Sequence, residues 1–124
     1  MSQLTVLYVE DNEYNRKIVR QLLSRTSYRL LEAADGEAAL GMVRLERPDL
    51  ILMDVQLPKM SGLDVTRALR GDPATAGVPI IVVTSFALSG DDQRAMAAGA
   101  SAYIAKPYSP RELLSLIQKF LAER

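Results

Sequence analysis

Apolar residues in this chain fall into short runs separated by longer segments of helical period. LTVLYV (4–9), YRLLEA (28–33), DLILM (49–53), PIIVVT (79–84) and SAYIA (101–105) read as β-strands, the third continuous enough to be buried on both faces. Five helix candidates lie between and after them. NEYNRKIVRQLLSR places Ile18, Leu22 and their neighbours on one face, and DGEAALGMVRLE does the same with Ala38, Leu40, Met42 and Val43. GLDVTRALRG and GDDQRAMAAG are less strongly patterned, with Gly71 and Gly99 as their C-terminal stops. The last helix carries the fullest start signal. Ser109 caps it, Pro110 suits its first turn, and Glu112 completes an S-x-x-E capping box ahead of LLSLIQKFL.

Strict β-α alternation implies parallel strands joined by right-handed crossovers, hence an α/β fold with an open sheet and helices on both faces. The five β-α units account for essentially all of residues 1–124, so a single domain is expected, with no linker or repeat left over. Composition narrows the function. Lysine and arginine number 15 and aspartate and glutamate number 15, so no overall charge draws the chain to nucleic acid or to a membrane surface. The absence of cysteine removes disulfides, thiol catalysis and zinc-thiolate sites, and the absence of histidine removes His-based acid-base chemistry and a phosphohistidine carrier. No apolar run is long enough to span a bilayer and no export leader opens the chain, so a cytoplasmic location is expected.

In doubly wound sheets ligands collect beyond the carboxyl ends of the strands. Glu10 and Asp11 follow the first strand there, Asp54 the third, Thr84 and Ser85 the fourth, and Lys106 the fifth, whereas the AADG that closes strand two reads as ordinary helix-start chemistry. Polar residues are common where strands end, and each taken singly has that bland reading. Jointly they put three acids, a hydroxyl and an amine on one rim. Three clustered carboxylates repel, and a hard divalent cation such as Mg²⁺ relieves them while leaving coordination positions open for phosphate oxygens. The set therefore suits a phosphoryl group: Glu10 and Asp11 hold the metal, the Asp54 carboxylate attacks phosphorus in line, and Lys106 and Thr84 stabilise the transferred charge.

VLYVEDNEYNRK, DLILMDVQLPKMSG, IIVVTS and AYIAKP resemble, over the full length, the signatures of the receiver domain of bacterial two-component response regulators. LILMDVQLP, SFALSGD and the single-domain length are most similar to the stand-alone DivK-like regulators. The resemblance implies a flavodoxin-like (βα)5 sheet of strand order 2-1-3-4-5. It implies that Asp54 accepts phosphate from a sensor histidine kinase or histidine phosphotransfer protein, that the backbone carbonyl of Gln56 helps ligate Mg²⁺, and that Thr84 and Tyr103 form a switch pair. Gln56 and Phe86 occupy positions where such domains vary and where the lifetime of the phosphoryl group is tuned. Pro58 and Gly62 are expected to shape the loop after Asp54, Pro107 to hold a rigid turn, cis as one option, that aims Lys106, and Tyr8 and Tyr28 simply to pack.

Rival classes fit less well. An aspartate-nucleophile phosphatase normally needs a second Asp two residues on, where this chain has Gln56, and a dinucleotide-binding domain needs a glycine-rich turn that VEDNEYN lacks. A phosphate-free scaffold of the same fold typically loses a site residue, and none is missing. With no chain left for a DNA-binding or enzymatic domain, output is expected through a downstream protein target that meets a face of the fourth helix, fifth strand and fifth helix, the protein being a monomer or weak dimer. Alternation along AYIA points Tyr103 away from Ala102 and Ile104.

Overall fold

The structure, a computed structural model, describes residues 3–85 and 91–121, apart from the side chain of Asp91. Phe86, one of the two expected tuning positions, lies outside the described residues. Five strands and five helices alternate: β1 (Thr5–Val9), α1 (Glu13–Leu23), β2 (Arg29–Ala33), α2 (Gly36–Glu46), β3 (Leu50–Asp54), α3 (Gly62–Gly71), β4 (Ile80–Thr84), α4 (Asp91–Ala98), β5 (Ala102–Ala105) and α5 (Pro110–Leu121). All strand pairs are parallel, in the order β2-β1-β3-β4-β5, which is the expected doubly wound sheet.

Strand alternation divides the core into two layers. Leu7 and Val9 of β1, Ile51 and Met53 of β3, and Ile80 and Val82 of β4 pack with Ala39, Val43, Val65, Leu69 and Ala95 of α2, α3 and α4. The intervening residues Val6, Tyr8, Leu50, Leu52, Ile81 and Val83 pack with Val19 and Leu23 of α1 and Leu113, Ile117 and Leu121 of α5. Each fully buried aliphatic side chain contributes about 1.5–3 kcal/mol of transfer free energy, so the two layers together hold the sheet between its helices. β1, β3 and β4 are buried along their whole length, which is why their sequences read as unbroken apolar runs.

The helix starts are chemically specified. Asn12, Asp35 and Ser61 cap α1, α2 and α3 by accepting from the backbone N–H groups of Asn15, Ala38 and Asp64. At α5 the expected capping box is present: Glu112 N donates to Ser109 Oγ at 3.1 Å and Ser109 N to Glu112 Oε1 at 3.0 Å. Two expectations need correction. Ile18 is 41% exposed, and the buried residues of α1 are Val19 and Leu23 with Leu22 partly buried against their layer, because an i, i+4 apolar pair fixes a spacing but not how far each member turns inward. Ala38 is likewise exposed on α2, where Ala39 and Val43 are buried. The expected helix stops hold: α3 ends at Gly71, its last helical residue, and Gly99, at φ +109°, ends α4 in the left-handed region.

Candidate functional site

The register of the sheet assembles the rim. Val9 pairs with Met53, Asp54 with Val83, and Thr84 with Ala105, so Glu10, Asp54, Thr84 and Lys106 all emerge at adjoining carboxyl ends. Side-chain parity then sorts them. Glu10 continues the series Val6–Tyr8 and Asp54 the series Leu50–Leu52, both on the α1/α5 face, while Thr84 continues Ile80–Val82 on the face toward α3 and α4.

The acids meet as expected. Carboxylate oxygens of Glu10, Asp11 and Asp54 lie within 4.8 Å of one another. Glu10 and Asp54 are buried and Asp11 is exposed. Lys106 Nζ bridges the buried pair, 2.9 Å from Glu10 Oε1 and 3.2 Å from Asp54 Oδ1. The Lys106–Pro107 bond that follows β5 is cis, and Lys106 N donates to the Thr84 carbonyl at 2.7 Å.

One ammonium cannot balance three carboxylates. Asp54 is only 3% exposed. That burial, reinforced by the charges of Glu10 and more weakly Asp11, raises its carboxyl from the ordinary 3.8 to about 6, against the lowering pull of Lys106. Burial opposes the charge on Lys106, but its hydrogen bond to Glu10 and the charges of Asp54 and Glu10 prevail and lift its pKa above the usual lysine value. An all-oxygen donor set carrying this uncompensated negative charge fits Mg²⁺. Gln56 is exposed two residues beyond Asp54, in the loop that the expected backbone ligand would occupy.

Several supports of the site were not legible in the sequence. Tyr8, expected only to pack, donates its hydroxyl to Glu10 Oε1 at 3.0 Å. Asn12 N reaches Glu10 Oε2 at 3.2 Å, and Arg16 Nη1 holds the Glu10 carbonyl at 2.9 Å while its guanidinium also meets Glu13. Tyr8 is two residues before Glu10, a same-face spacing that could have flagged it. Gly62, expected to shape the loop, does so by contact: a Cβ there would collide with the Asp54 carbonyl oxygen. Thr84 is fully buried. Tyr103 points away from Ala102 and Ile104 as alternation requires, but onto the α2/α3/α4 layer, with its hydroxyl buried. It therefore shares the face of Thr84, two ladder positions from it.

The chain matches the response regulator receiver domain over residues 6–118. It is 43% identical over 119 residues to the polar-differentiation response regulator DivK of Brucella anthropi, covering 96% of this chain and 97% of that one. Among solved structures, a putative response regulator from Chloroflexus aurantiacus superposes with a TM-score of 0.93 at 30% identity, covering 98% of this chain and 99% of its own. The receiver domain of the sensor histidine kinase PA1611 of Pseudomonas aeruginosa, whose structure has a magnesium ion coordinated in the active-site cleft, superposes at 0.90 with 36% identity over 98% and 99% of the two chains. The chain belongs to the response regulator receiver domain family, the phosphoryl-accepting signalling switches of two-component systems.

Proposed function

We propose that Asp54 is the phosphoryl acceptor and that Glu10, Asp11, Asp54 and the backbone carbonyl of Gln56 hold Mg²⁺. The observation that carries this reading is a buried carboxylate at a strand end with a lysine on one side and an acid pair on the other. Bound there, Mg²⁺ supplies the charge that keeps Asp54 ionised and offsets the incoming phosphoryl oxygens. An Asp54 carboxylate oxygen attacks phosphorus in line as the bond from phosphorus to the donor's imidazole nitrogen, or to the acyl oxygen of a small acyl phosphate, breaks and its electron pair leaves with the donor. Lys106 and the Thr84 hydroxyl bind phosphoryl oxygens. The donor is a sensor histidine kinase or a histidine phosphotransfer protein.

The protein thus catalyses its own phosphoryl transfer and a slow autodephosphorylation, with Gln56 and Phe86 tuning the rate. Thr84 drawn toward the phosphoryl group vacates space beside Tyr103, and the ring's response carries the signal to a protein-binding face of α4, β5 and α5. Residues 1–124 act as a single domain, in the cytoplasm, as a monomer or weak dimer, without direct contact to nucleic acid. Among the described residues no helix is long and apolar enough to cross a membrane. Acetyl phosphate and Mg²⁺ with intact-mass detection test the core of it. One base-labile phosphoryl group is expected on the wild type and none on Asp54→Asn; undiminished labelling of the variant would remove Asp54 from the mechanism.

A further inference from the structure

We propose that Tyr8 is a positioning residue for the metal ligand Glu10, an inference that rests on the reading of Glu10 as a ligand of Mg²⁺. Tyr8 interrupts the aliphatic run of β1, between Leu7 and Val9, and is 1% exposed. A buried phenol needs a partner, and here the partner is the Glu10 carboxylate at 3.0 Å. Any aliphatic residue would fill the layer; only a hydroxyl holds the acid.

The hydrogen-bond inventory of Glu10 gives this contact its role. Oε1 accepts from Tyr8 and from Lys106 Nζ, and Oε2 accepts from Asn12 N, so Oε2 retains acceptor capacity for a cation. Lys106 is shared with Asp54 and is the group that must turn to a phosphoryl oxygen. Once it does, Tyr8 is the side chain left holding Oε1, so Glu10 neither swings away nor stays buried with that oxygen unsatisfied. Tyr108 packs against the layer that contains Tyr8 and lines a cavity of about 460 Å³ beside Lys106 and Pro107.

Calorimetric titration of Mg²⁺ into wild type, Tyr8→Phe, Glu10→Ala, the double variant and Tyr108→Phe tests the proposal, with the thermal midpoint of each Mg²⁺-free protein recorded alongside. Tyr8→Phe keeps the ring and is expected to raise the Mg²⁺ dissociation constant about tenfold, the usual scale for losing a hydrogen bond to a ligating carboxylate. In the Glu10→Ala background the same change has no carboxylate to release and is expected to add little. Tyr108→Phe leaves the Tyr8–Glu10 bond in place and is expected to cost far less than Tyr8→Phe. An unchanged constant in Tyr8→Phe, an equal loss with and without Glu10, or an equal loss in Tyr108→Phe overturns the positioning role. A Glu10→Ala protein that binds Mg²⁺ as tightly as wild type instead overturns the assignment of Glu10 as a ligand.

Discussion

The β1–β3 half of the rim and the α4–β5 half are built differently. β1 and β3 are buried throughout, and the acidic turn that follows β1 is held by the Tyr8 hydroxyl, the Asn12 amide and the Arg16 guanidinium. β5 has four residues, of which only Ile104 is fully buried. α4 puts Ala95 and Ala98 into the core and leaves Met96 51% exposed. Its C-terminal end is tethered by polar contacts instead: Arg70 Nε donates to the Gly99 carbonyl at 2.7 Å and Nη2 to Ser101 Oγ at 3.1 Å. A half fixed by large apolar contacts suits a site whose ligands must not move, and a half that buries small side chains can shift at low cost.

Core truncations should expose that contrast most strongly. Leu52→Ala in β3 is expected to cost about 2–5 kcal/mol, and Ala95→Gly in α4 about 1 kcal/mol, read by urea unfolding. Equal losses would mean that α4 is as firmly seated as β3. Gly62→Ala tests the β3 side directly. Its methyl would meet the Asp54 carbonyl, so a loss of about 1–3 kcal/mol is expected, together with impaired phosphorylation because the displaced atoms belong to the proposed acceptor.

The pH dependence of the metal-free protein sharpens the electrostatic side. Folding raises the pKa of Asp54, so it favours the protonated carboxyl. The stability this contributes is fully present below pH 3.8 and is lost as pH rises through about 6, on the order of 3 kcal/mol in all. Subtracting the same profile for Asp54→Asn isolates it from other carboxylates. A difference that does not change between pH 4 and 7 would show that Lys106 already balances the site. Asp11→Asn should act more weakly. Asp11 is exposed, and its loss is expected to weaken Mg²⁺ binding about tenfold, or 1.4 kcal/mol, while leaving the metal-free fold as stable or slightly more so. Equal affinity in calorimetry would reduce Asp11 to a residue that merely precedes a helix.

The same contrast explains what could be read from the sequence. The scaffold was legible because hydrophobic period dictates it: the five strand runs differ from the observed strands mainly at their first residues. Asp49 illustrates the reason, since its carboxylate accepts from Thr5 N, chemistry that alternation does not encode. The rim acids, Thr84 and Lys106 were legible because parallel topology sends every strand end to one side. Contacts across elements were not. Arg16 resembles any helical arginine until α1 is laid over β1, and Ile18 resembles core until the rotation of α1 is known. The left-handed cap of α2 falls on Arg47, at φ 49°, a position that no residue preference announces.

The free-energy effect that matters for output is also a small one. Thr84 and Tyr103 lie on the same face of adjacent strands, and Tyr103 packs beside the layer that contains Ala95 of α4. A phosphoryl group engaging Thr84 therefore acts on the lightly packed half and not on β1, which is buried throughout. A bias of about 1.4 kcal/mol in that half would suffice for a tenfold preference of a partner for the phosphorylated form. Beryllofluoride, standing in for the phosphoryl group, allows the comparison by NMR at equilibrium. Backbone shifts are expected to extend from Asp54 through Thr84 to β5 and α4, with β2 and the buried face of α1 nearly unchanged. The Tyr103→Phe variant, which removes only a buried hydroxyl, should keep the site shifts and alter those in α4 and β5. Shifts confined to Glu10, Asp11, Asp54 and Lys106, or spread equally over both halves, would show that packing density does not direct the signal.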